Sequence, residues 1–406
     1  MPPTPLMPLL TSPSRPSHLR QSNAKGLLKL LRTYNPCSKA DLVRLSGLSA
    51  PTVSSGVSHL EQLGLVESLG DGESSGGRPP ELLRFNAAHG YVAAADVGGT
   101  RLRMMLADLN GVAVAQWSTV LLQSRKTPAE VCSLVLEGLK AMCSQSGVVL
   151  KKVLHLTAGA PGITNVDTGV VLSAPNLNYW DDIPLRDMLQ KVTGLPAIVE
   201  NDTNLAAVGE YHHGAACGMQ DFLFIGLGTG VGAGIFMGGQ IYHGAQWRAG
   251  EIGYFGIGGR RRESVRMRET GQLEREIGGA AIEAHWVDLL QRSKSPAAPE
   301  LEKLHVSEIF DLARDGDPVA RKVLDHTAEV LADVISEIAL ILDPKAVILG
   351  GGVGTHEELC RATQAYLARH ELSDLQLRTS SLGTQAQLFG GISLSLVAAA
   401  DLLLAN

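Results

Sequence analysis

The chain of 406 residues is 45% hydrophobic and 19% charged, a composition typical of a soluble globular protein with two or three domains. Its five cysteines are scattered without a CxxC spacing, which argues against a disulfide scaffold and fits the cytoplasm, and its longest apolar runs fall short of the ~18 residues of a membrane span. Residues 1–85 hold nine Lys and Arg against six Asp and Glu, whereas the remainder holds 26 against 35, so the N-terminal part favours an anionic partner.

The first segment, residues 1–19, holds six prolines and several serines but no long apolar core. This composition predicts a disordered leader and not a signal peptide.

Residues 20–88 begin with the pattern of two helices. An apolar stripe at the i, i+3, i+4, i+7 spacing predicts the first helix, and its members are Leu27, Leu30, Leu31 and Tyr34. A short second helix is predicted after Ser38, which is a good N-cap with Asp41 as its acidic partner, and Gly47 ends it.

The third predicted helix has a polar face made of small side chains. Ser49 caps it, Pro51 is tolerated in its first turn, and Val53, Val57 and Leu60 face inward. The opposite face has little bulk to keep a backbone away from DNA, and its candidate DNA-binding residues are Ser49, Thr52, Ser54, Ser55, Ser58 and His59. Helix, short helix, Gly turn and helix is the order of a helix-turn-helix, whose last helix enters the major groove.

Two short strands are predicted next, at Val66–Ser68 and Leu82–Phe85, joined by a Gly/Ser-rich loop. They make the domain a winged helix-turn-helix. Arg78, between Gly77 and Pro79, is placed to reach a phosphate or the minor groove. The alternative is a helical protein-interaction module with a solvated polar face.

From Tyr91 the pattern changes to strands with Gly-rich turns. "YVAAADVGGTRLRMMLADLNGVAVAQ" predicts strand, Gly turn, strand, Asn-Gly hairpin and strand, and "DFLFIGLGTGVGAGIFMGGQIYHG" repeats that order about 130 residues later. The repetition predicts an α/β body of two related lobes, residues 89–200 and 201–387, with a ligand between them.

Three Gly-rich turns are candidate phosphate or nucleotide contacts. In "DVGGT" the backbone of Gly98 and Gly99 and the hydroxyl of Thr100 face a phosphate, and Asp96 holds a magnesium ion through water. In "GLGTGVG" a second phosphate cradle is formed by Gly228, Thr229 and Gly230, and in "DPKAVILGGGVG" an adenine or ribose lies flat on Gly350, Gly351 and Gly352. A single Gly-rich turn after a strand is more often only a turn, but three in this order favour a nucleotide site.

The acid/base candidate lies in "AIVENDTNLA", where an apolar strand ends at the edge at which α/β sheets bind ligands. Asp202 is suited to accept a proton from a substrate hydroxyl, and Asn201 to orient that substrate. The alternative is that this stretch only caps the helix starting near Asn204. Glu251 and Glu274 are further carboxylates suited to vicinal hydroxyls of a sugar.

Together these motifs resemble the ROK family of repressors, open reading frames and kinases, from about residue 22 to the end. The matching pieces are "GRPPELLRFN", "DVGGT", "END", "GLGTGVGAGI", "GEIG", "GQLE" and "DPKAVILGGGVG". The likeness is closest to the regulator branch, which places a winged helix-turn-helix before a sugar-kinase-like body. It implies the actin-like, hexokinase-like two-lobed ATPase fold, with the last helix, within 388–406, packed back on the first lobe.

The resemblance also implies roles for single residues. Asp202 matches the family's catalytic base, Asn201 its sugar-binding neighbour, and Glu251 and Glu274 its two sugar-binding glutamates. The first phosphate motif matches Asp96, Gly98, Gly99 and Thr100, and the second matches Gly228–Gly230.

The departure from the family lies in "GEIGYFGIGGRRRESVRMRETGQLE". The family has a His and three Cys that bind a structural zinc, whereas the corresponding residues here are Tyr254, Val265, Met267 and Gln272. These are poor zinc ligands, so we predict no structural zinc. Tyr254 is expected to pack where the metal stood and to donate a hydrogen bond to a sugar, and the arginines of the loop to pair with Glu263, Glu269 and Glu276.

The favoured function is a sugar-responsive, DNA-binding transcriptional regulator of carbohydrate metabolism, of the repressor type, which acts as a homodimer or homotetramer and needs no cofactor for regulation. The alternative is a sugar kinase of the glucokinase or N-acetylhexosamine kinase type that uses ATP and Mg²⁺, alone or combined with DNA binding. A third possibility is a DNA-binding protein whose kinase-like body serves only for dimerisation.

Overall fold

The computed structural model describes residues 16–71, 80–121, 127–175, 177, 180–256, 268–293 and 301–405. The chain divides into two compact units. The first is drawn from Met1–Tyr91, Asp108–Val112 and Leu396–Asn406, and the second from Val92–Ala107 and Ala113–Ser395.

The first unit contains three helices and a small sheet among its described residues. Its elements are α1 (Pro16–Thr33), β1 (Cys37–Ser38), α2 (Lys39–Ser46), α3 (Ala50–Gln62), β2 (Val66–Asp71) and β3 (Glu81–Phe85). The strand order is β1-β3-β2, and β2 and β3 pair antiparallel. The order of helices followed by a β-hairpin is the predicted winged helix-turn-helix arrangement.

Local capping chemistry sets the ends of α2 and α3. The Ser38 hydroxyl accepts the Asp41 N–H and the Asp41 carboxylate accepts the Ser38 N–H, a reciprocal capping box that satisfies two free donors of the helix start. Gly47 ends α2 with φ +69°, a backbone conformation that favours glycine. The Ser49 side chain accepts the Thr52 N–H at the start of α3. These predicted caps are confirmed.

Three expectations for this unit need correction. α1 begins at Pro16, inside the stretch expected to be a leader, because proline is well suited to the first turn of a helix; residues 1–15 lie outside the described part of the chain. The buried stripe of α1 lies three residues before the predicted one, and it consists of Ala24, Leu27, Leu28 and Leu31. Tyr34 is 48% exposed. The short strand β1 was not predicted.

The second unit begins with the strands and helices of a first lobe. They are β4 (Tyr91–Val97), β5 (Arg101–Asp108), β6 (Ala113–Val120), α4 (Pro128–Ser146), β7 (Val153–Ala160), β8 (Ile163–Asn165), β9 (Val170–Ser173), α5 (Leu185–Thr193) and β10 (Ala197–Asn201).

The second lobe follows in the chain. Its elements are α6 (Asp202–His213), β11 (Phe222–Leu227), β12 (Val231–Met237), β13 (Gln240–Ile241), α7 (Glu274–Ile277), α8 (Gly279–Arg292), α9 (Val306–Arg314), α10 (Pro318–Leu342), β14 (Ala346–Gly350), α11 (Gly351–Gly354), α12 (Glu357–Arg369), β15 (Gln376–Thr379) and α13 (Ala386–Leu404).

The two lobes are built on sheets of the same topology. Among the described residues, one five-stranded sheet has the order β10-β7-β4-β5-β6 and the other the order β13-β12-β11-β14-β15. In each sheet three consecutive strands lie side by side, β4-β5-β6 in one and β11-β12-β13 in the other, and the two later strands are added beyond the first of the three. The predicted pair of related α/β lobes is therefore confirmed.

The last helix, α13, contributes to both units, since Leu396–Asn406 belong to the first and the residues before Leu396 to the second. Within the second unit the Ser395 hydroxyl donates to the Ala93 carbonyl at 3.1 Å and lies 2.7 Å from the Thr157 hydroxyl. The stretch Gly383–Leu404 is long and apolar enough for a membrane span by length and composition, a feature not predicted because serines and glycines interrupt its apolar runs. Half of this stretch is buried in the structure, as in the core helix of a globular protein.

Helices α6 and α13 cross with their backbones in contact. A Cβ at Gly390 would overlap the Leu205 carbonyl oxygen, and a Cβ at Gly209 would overlap the Ala386 carbonyl oxygen. Only glycine lacks the atom that would separate the two helices here. The crossing holds the start of α13 against the helix that begins at Asp202.

We predict that Gly390→Ala lowers the free energy of unfolding of the second unit by about 1–3 kcal/mol, because the added methyl group forces the two backbones apart. Gly26→Ala is the matched control, since Gly26 also lies within a helix but a Cβ there would meet no atom within 4 Å. Urea unfolding followed by circular dichroism measures both variants. A Gly390→Ala protein as stable as the parent would contradict the close crossing.

Candidate functional site

A cleft of about 360 Å³ opens within the second unit, where the Gly-rich turns and the end of β10 meet. It gathers most of the residues predicted for the body of the protein. Those lining it are Asp96, Gly98, Gly99, Thr100, Asn201, Asp202, Gly228, Thr229, Gly230, Glu251, Tyr254, Glu274, Gly351 and Gly352. Gly350 is not among the lining residues, because it ends the buried strand β14 with the Phe224 ring packed against its Cα.

The corner between β10 and α6 carries Asn201 and Asp202. Asn201 is the N-cap of α6: its Oδ1 accepts the Asn204 N–H at 3.0 Å, and its Nδ2 donates to the Gly162 carbonyl at 2.9 Å. The alternative of a capping role therefore holds for Asn201, although α6 begins earlier than predicted, at Asp202. Because α6 starts at the cleft, its first residue, Asp202, faces the cavity.

Burial controls the charge of Asp202. Removal from water raises its pKa to about 6, although hydrogen bonds from the Thr203 N–H at 2.7 Å and the Thr203 hydroxyl at 3.1 Å act in the opposite direction. A carboxylate with a pKa near neutrality is well matched to accept a proton from a hydroxyl group.

Asp96 lies at the end of β4 and is 3% exposed. Burial and the nearby charge of Asp202 raise its pKa to about 7, and an ion pair with Arg103 at 3.2 Å opposes this rise. Arg103 comes from β5 and also reaches the Thr384 carbonyl. The Asp96 carboxylate, which is suited to a cation, is thus already paired with the Arg103 guanidinium.

Two glutamates form the other wall of the cleft. Burial, with the charges of Asp202 and Glu274, raises the pKa of Glu251 to about 7. The Glu274 carboxylate accepts the Val231 N–H at 3.1 Å, which fixes its orientation at the start of α7. Burial and the two glutamates raise the pKa of Tyr254 to about 12, so its hydroxyl stays protonated and able to donate. Carboxylates that accept and a phenol that donates are suited to a polyol.

The Gly-rich turns leave room for phosphate groups. A Cβ at Gly99 or at Gly352 would meet no atom within 4 Å, so ligand atoms can approach the backbone at both turns. A Cβ at Gly228 would lie 3.6 Å from the Gly352 backbone nitrogen, which shows that the second and third turns are neighbours. These residues fit the phosphates and sugar of a nucleotide. Asp96 fits a magnesium ion only if Arg103 releases it.

The candidate DNA-binding residues lie in the first unit. Ser49, Ser54, Ser55 and Ser58 are exposed, and Thr52 and His59 are partly exposed. Val53, Val57 and Leu60 on the other side of α3 are buried, as predicted. Arg78, in the loop between β2 and β3, lies outside the described residues.

The loop that departs from the family pattern is described only at its ends, because residues 257–267 lie outside the described part of the chain. Arg268 pairs with Asp182 at 3.3 Å and with Asp181 at 3.7 Å, two partners that were not predicted. Glu276 contacts His326 at 2.9 Å. The pairing of the loop arginines with Glu263, Glu269 and Glu276 stays a prediction, because four of the five arginines and Glu263 are outside the described ranges.

The described ranges contain no group of three or more His, Cys, Asp and Glu side chains placed to hold a metal ion. Val265 and Met267, two of the residues at the family's zinc-ligand positions, lie outside these ranges. The absence of zinc stays a prediction.

The sequence patterns did not single out several polar side chains of this region. Arg103, Thr384 and Gln387 line the cleft, and Glu200 lies buried beneath Asn201. A charged residue at the end of an apolar strand, as in "AIVEN", is the signal that could have identified Glu200. Nothing in the sequence brings Thr384 and Gln387 to a cleft whose other residues lie far away in the chain.

Two related lobes around a cleft of carboxylates and Gly-rich turns define the class of actin-like, hexokinase-like sugar-kinase folds. Residues 92–397 match the family model described as "ROK family". The chain belongs to the ROK family.

Similar proteins fall into two groups that differ in the part of this chain they cover. The chain is 31% identical over 310 residues to a glucokinase of Halalkalibacterium halodurans, and the alignment covers 74% of this chain and 93% of that protein. It is 27% identical over 377 residues to the xylose repressor of Bacillus subtilis, and this alignment covers 92% of this chain and 94% of that protein.

The solved structures show the same difference. A ROK family transcriptional regulator described as a homologue of the E. coli MLC protein covers 96% of this chain and 98% of its own, with a TM-score of 0.79 and 24% identity, and so shows the fold. A ROK family glucokinase from Streptomyces griseus, in complex with glucose and AMPPNP, covers 75% of this chain and 99% of its own, with a TM-score of 0.65 and 26% identity.

The raised pKa values of acids in the cleft predict that the free energy of unfolding decreases as the pH rises. The pKa of Glu251 is about 7, above the ~4.3 of a glutamate in an unfolded chain. The folded protein therefore keeps a proton that the unfolded chain loses first, so this contribution to stability is fully present below pH ~4 and is lost as the pH rises through about 7.

We predict that Glu251→Gln reduces the fall in the free energy of unfolding between pH 5 and pH 8 by on the order of 1 kcal/mol, because glutamine never ionises. Urea unfolding at the two pH values measures it. The control is Glu137→Gln, an exposed glutamate on α4. An equal fall in the parent and in Glu251→Gln would show that Glu251 does not titrate as described.

Proposed function

We propose that this protein is a sugar-responsive transcriptional repressor of carbohydrate metabolism. The observation that carries the proposal is the presence, in one chain, of three helices and a β-hairpin with an exposed polar α3, and of a cleft with carboxylates on its walls. The extent of the relatives supports it. The glucokinase similarity leaves about a quarter of this chain unmatched, whereas the similarity to the xylose repressor extends over 92% of it.

The DNA-binding role rests on α3. Its serines offer hydroxyl groups to phosphates and base edges without blocking the approach of the helix to the major groove. DNA operators have paired half-sites, so we propose a homodimer or homotetramer in the cytoplasm that presents paired copies of α3. Residues 20–88 are proposed as the DNA-binding domain, and residues 89–200 and 201–387 as the lobes of the sugar-binding body, with residues 388–406 completing the first lobe.

The effector role rests on the cleft. We assign Asn201, Asp202, Glu251, Tyr254 and Glu274 to the sugar. Partly buried carboxylates have lost part of their contact with water, and the hydroxyls of a sugar offer neutral donors in its place, so a polyol relieves part of the cost of burial. Since Glu251, Tyr254 and Glu274 lie in the second lobe and Asn201 ends β10 of the first-lobe sheet, at the boundary of the lobes, a bound sugar favours one arrangement of the lobes. Such a preference is what an effector needs to change the affinity at a second site.

We predict that Ser55→Glu weakens binding to the DNA upstream of the protein's own gene by about tenfold or more, because a carboxylate on the exposed face of α3 repels the phosphates. Fluorescence anisotropy with labelled DNA measures the affinity, with and without xylose, glucose and N-acetylglucosamine. Ser133→Glu, which makes the same change at an exposed position of α4, is the control.

Two outcomes would count against this proposal. Affinity that is the same for operator and unrelated DNA, and unchanged in Ser55→Glu, would remove the DNA-binding role. Affinity that no sugar in the panel alters would remove the effector role and leave the body as a dimerisation module.

A second candidate function is sugar phosphorylation, and one observation favours it: Asp202, with a pKa of about 6, faces the same cleft as the Gly-rich turns. ATP with Mg²⁺ would supply the phosphoryl group there. Gly98, Gly99, Thr100 and Gly228–Gly230 would hold the phosphates, and Gly351 and Gly352 the adenosine. Asp202 would take the proton from the sugar hydroxyl, and Asn201 would hold the sugar in place.

If the protein is a kinase, we predict sugar-dependent ADP release that rises as the pH passes about 6, because Asp202 must lose its proton to act as a base. Asp202→Asn is then expected to lower the rate by on the order of 10²–10⁴-fold. A coupled ADP assay with hexoses, N-acetylhexosamines and xylose measures this. Release that is independent of sugar, or equal in Asp202→Asn, would exclude the kinase.

A further inference from the structure

Glu200 is a buried carboxylate that none of the proposed roles uses. Glu200 is the residue before the last one of β10, and its side chain is 5% exposed. Its Oε1 accepts the Asn201 N–H at 2.8 Å and the Asn204 amide at 3.0 Å, and its Oε2 lies 2.8 Å from His243 Nε2. A buried carboxylate is costly unless all its oxygens are hydrogen-bonded, and here both are. The network therefore fixes the backbone at Asn201, directly before Asp202.

His243 reaches this carboxylate from the other lobe. It follows β13, at the edge of the second-lobe sheet, whereas Glu200 lies on an edge strand of the first-lobe sheet. The contact spans 43 residues of sequence and joins the two sheets beside the cleft.

The segment after His243 leads directly to Glu251 and is tightly folded. The Ala249 N–H donates to the His243 carbonyl at 3.3 Å, and the Ala233 N–H donates to the Gly250 carbonyl at 2.8 Å. Gly250 has φ +90°, and a Cβ there would overlap the Ala233 carbonyl oxygen. Because little slack remains between His243 and Glu251, a displacement of His243 moves Glu251 as well.

The charge state of His243 sets the strength of this link. The hydrogen bond to Glu200 and the charges of Glu200 and Asp167 raise its pKa, while burial acts in the opposite direction. The imidazolium donates a charge-assisted hydrogen bond to the carboxylate, which is about twice as strong as a neutral one. The neutral ring keeps at most the weaker bond.

We propose that Glu200 and His243 form a positioning pair that holds the Asn201–Asp202 corner, at the end of β10 in the first-lobe sheet, against the Glu251 loop of the second lobe, so that sugar affinity depends on the protonation of His243. The inference rests on the proposed sugar site. Affinity falls as the pH rises through the titration of His243, and bound sugar in turn favours the protonated ring, because the two equilibria are linked.

The cleft carboxylates also titrate in this range, so the test compares variants and not one pH profile. His243→Gln keeps a donor near the position of Nε2 but cannot ionise. His370→Gln is the matched control, because His370 contacts Asp333 at 3.4 Å just after α12, outside the residues that line the cleft. Isothermal titration calorimetry with D-xylose and D-glucose at pH 6 and pH 8 gives the affinities.

The expected result is a loss of affinity from pH 6 to pH 8 that is about fivefold larger in the parent and in His370→Gln than in His243→Gln. At pH 8 the affinity of His243→Gln is close to that of the parent, since both side chains then offer a neutral donor. Equal pH profiles in the parent and His243→Gln would overturn the proposal.

A second measurement does not need a sugar. With selectively labelled histidine, the ring signal of His243 is identified by its loss in His243→Gln, and its titration midpoint is followed by nuclear magnetic resonance in the parent and in Glu200→Gln. We expect the midpoint to fall in Glu200→Gln. An unchanged midpoint would overturn the pair, whereas an absence of sugar binding in the parent would overturn the proposed effector site, so the two failures are distinguishable.

Discussion

The close crossing of α6 and α13 is the constraint on which the cleft depends. Gly209 and Gly390 let the two helices touch backbone to backbone, and this contact places the starts of both helices. α6 starts at Asp202 and α13 carries Gln387, and both residues line the cleft. Glu210, the neighbour of Gly209, is fully buried and accepts hydrogen bonds from the Ser380 hydroxyl and the Leu382 N–H. The turn that leads into α13 is therefore fixed by the same region of α6.

The electrostatics of the cleft separate it into two ends. Burial, together with the charges of neighbouring carboxylates, raises the pKa values of Glu251 and Tyr254, which disfavours an anionic ligand and favours a neutral molecule rich in hydroxyl groups. At the Gly-rich turns, backbone N–H groups offer partial positive charge without a side chain. This division is consistent with a sugar at one end and phosphates at the other. The ion pair of Arg103 with Asp96 lies near the first Gly-rich turn, and the Arg103 guanidinium offsets the negative charge of Asp96 there.

The features that the sequence predicted well depend on neighbours in the chain. Ser38, Gly47 and Ser49 set helix ends through atoms two to four residues away, and the Gly-rich turns follow strands whose apolar runs are visible in the sequence. The predicted stripe of α1 began three residues too late, because Leu30 and Tyr34 fit the apolar spacing as well as the buried Ala24 and Leu28 do. Contacts such as Arg268 with Asp182 or Glu200 with His243 join residues 86 and 43 positions apart. Only the assembled lobes bring these side chains together, so no local pattern contains them.

Glu251 and Glu274 lie at the two ends of a loop that has none of the His and Cys residues of the family's zinc site. Arg268 and its partners are exposed, and exposed ion pairs contribute only about 0–1 kcal/mol, so they are a weak substitute for a metal. The backbone supplies the stronger constraint. A Cβ at Gly271 would overlap the Gly253 carbonyl oxygen, and a Cβ at Gly253 would lie 2.7 Å from the Val231 carbonyl oxygen, so the two ends of the loop pack directly on each other and on β12. Glu274 then accepts the Val231 N–H on the same strand. These contacts involve glycines and main-chain atoms at the two ends of the loop, so they constrain Glu251 and Glu274 without side chains from its centre.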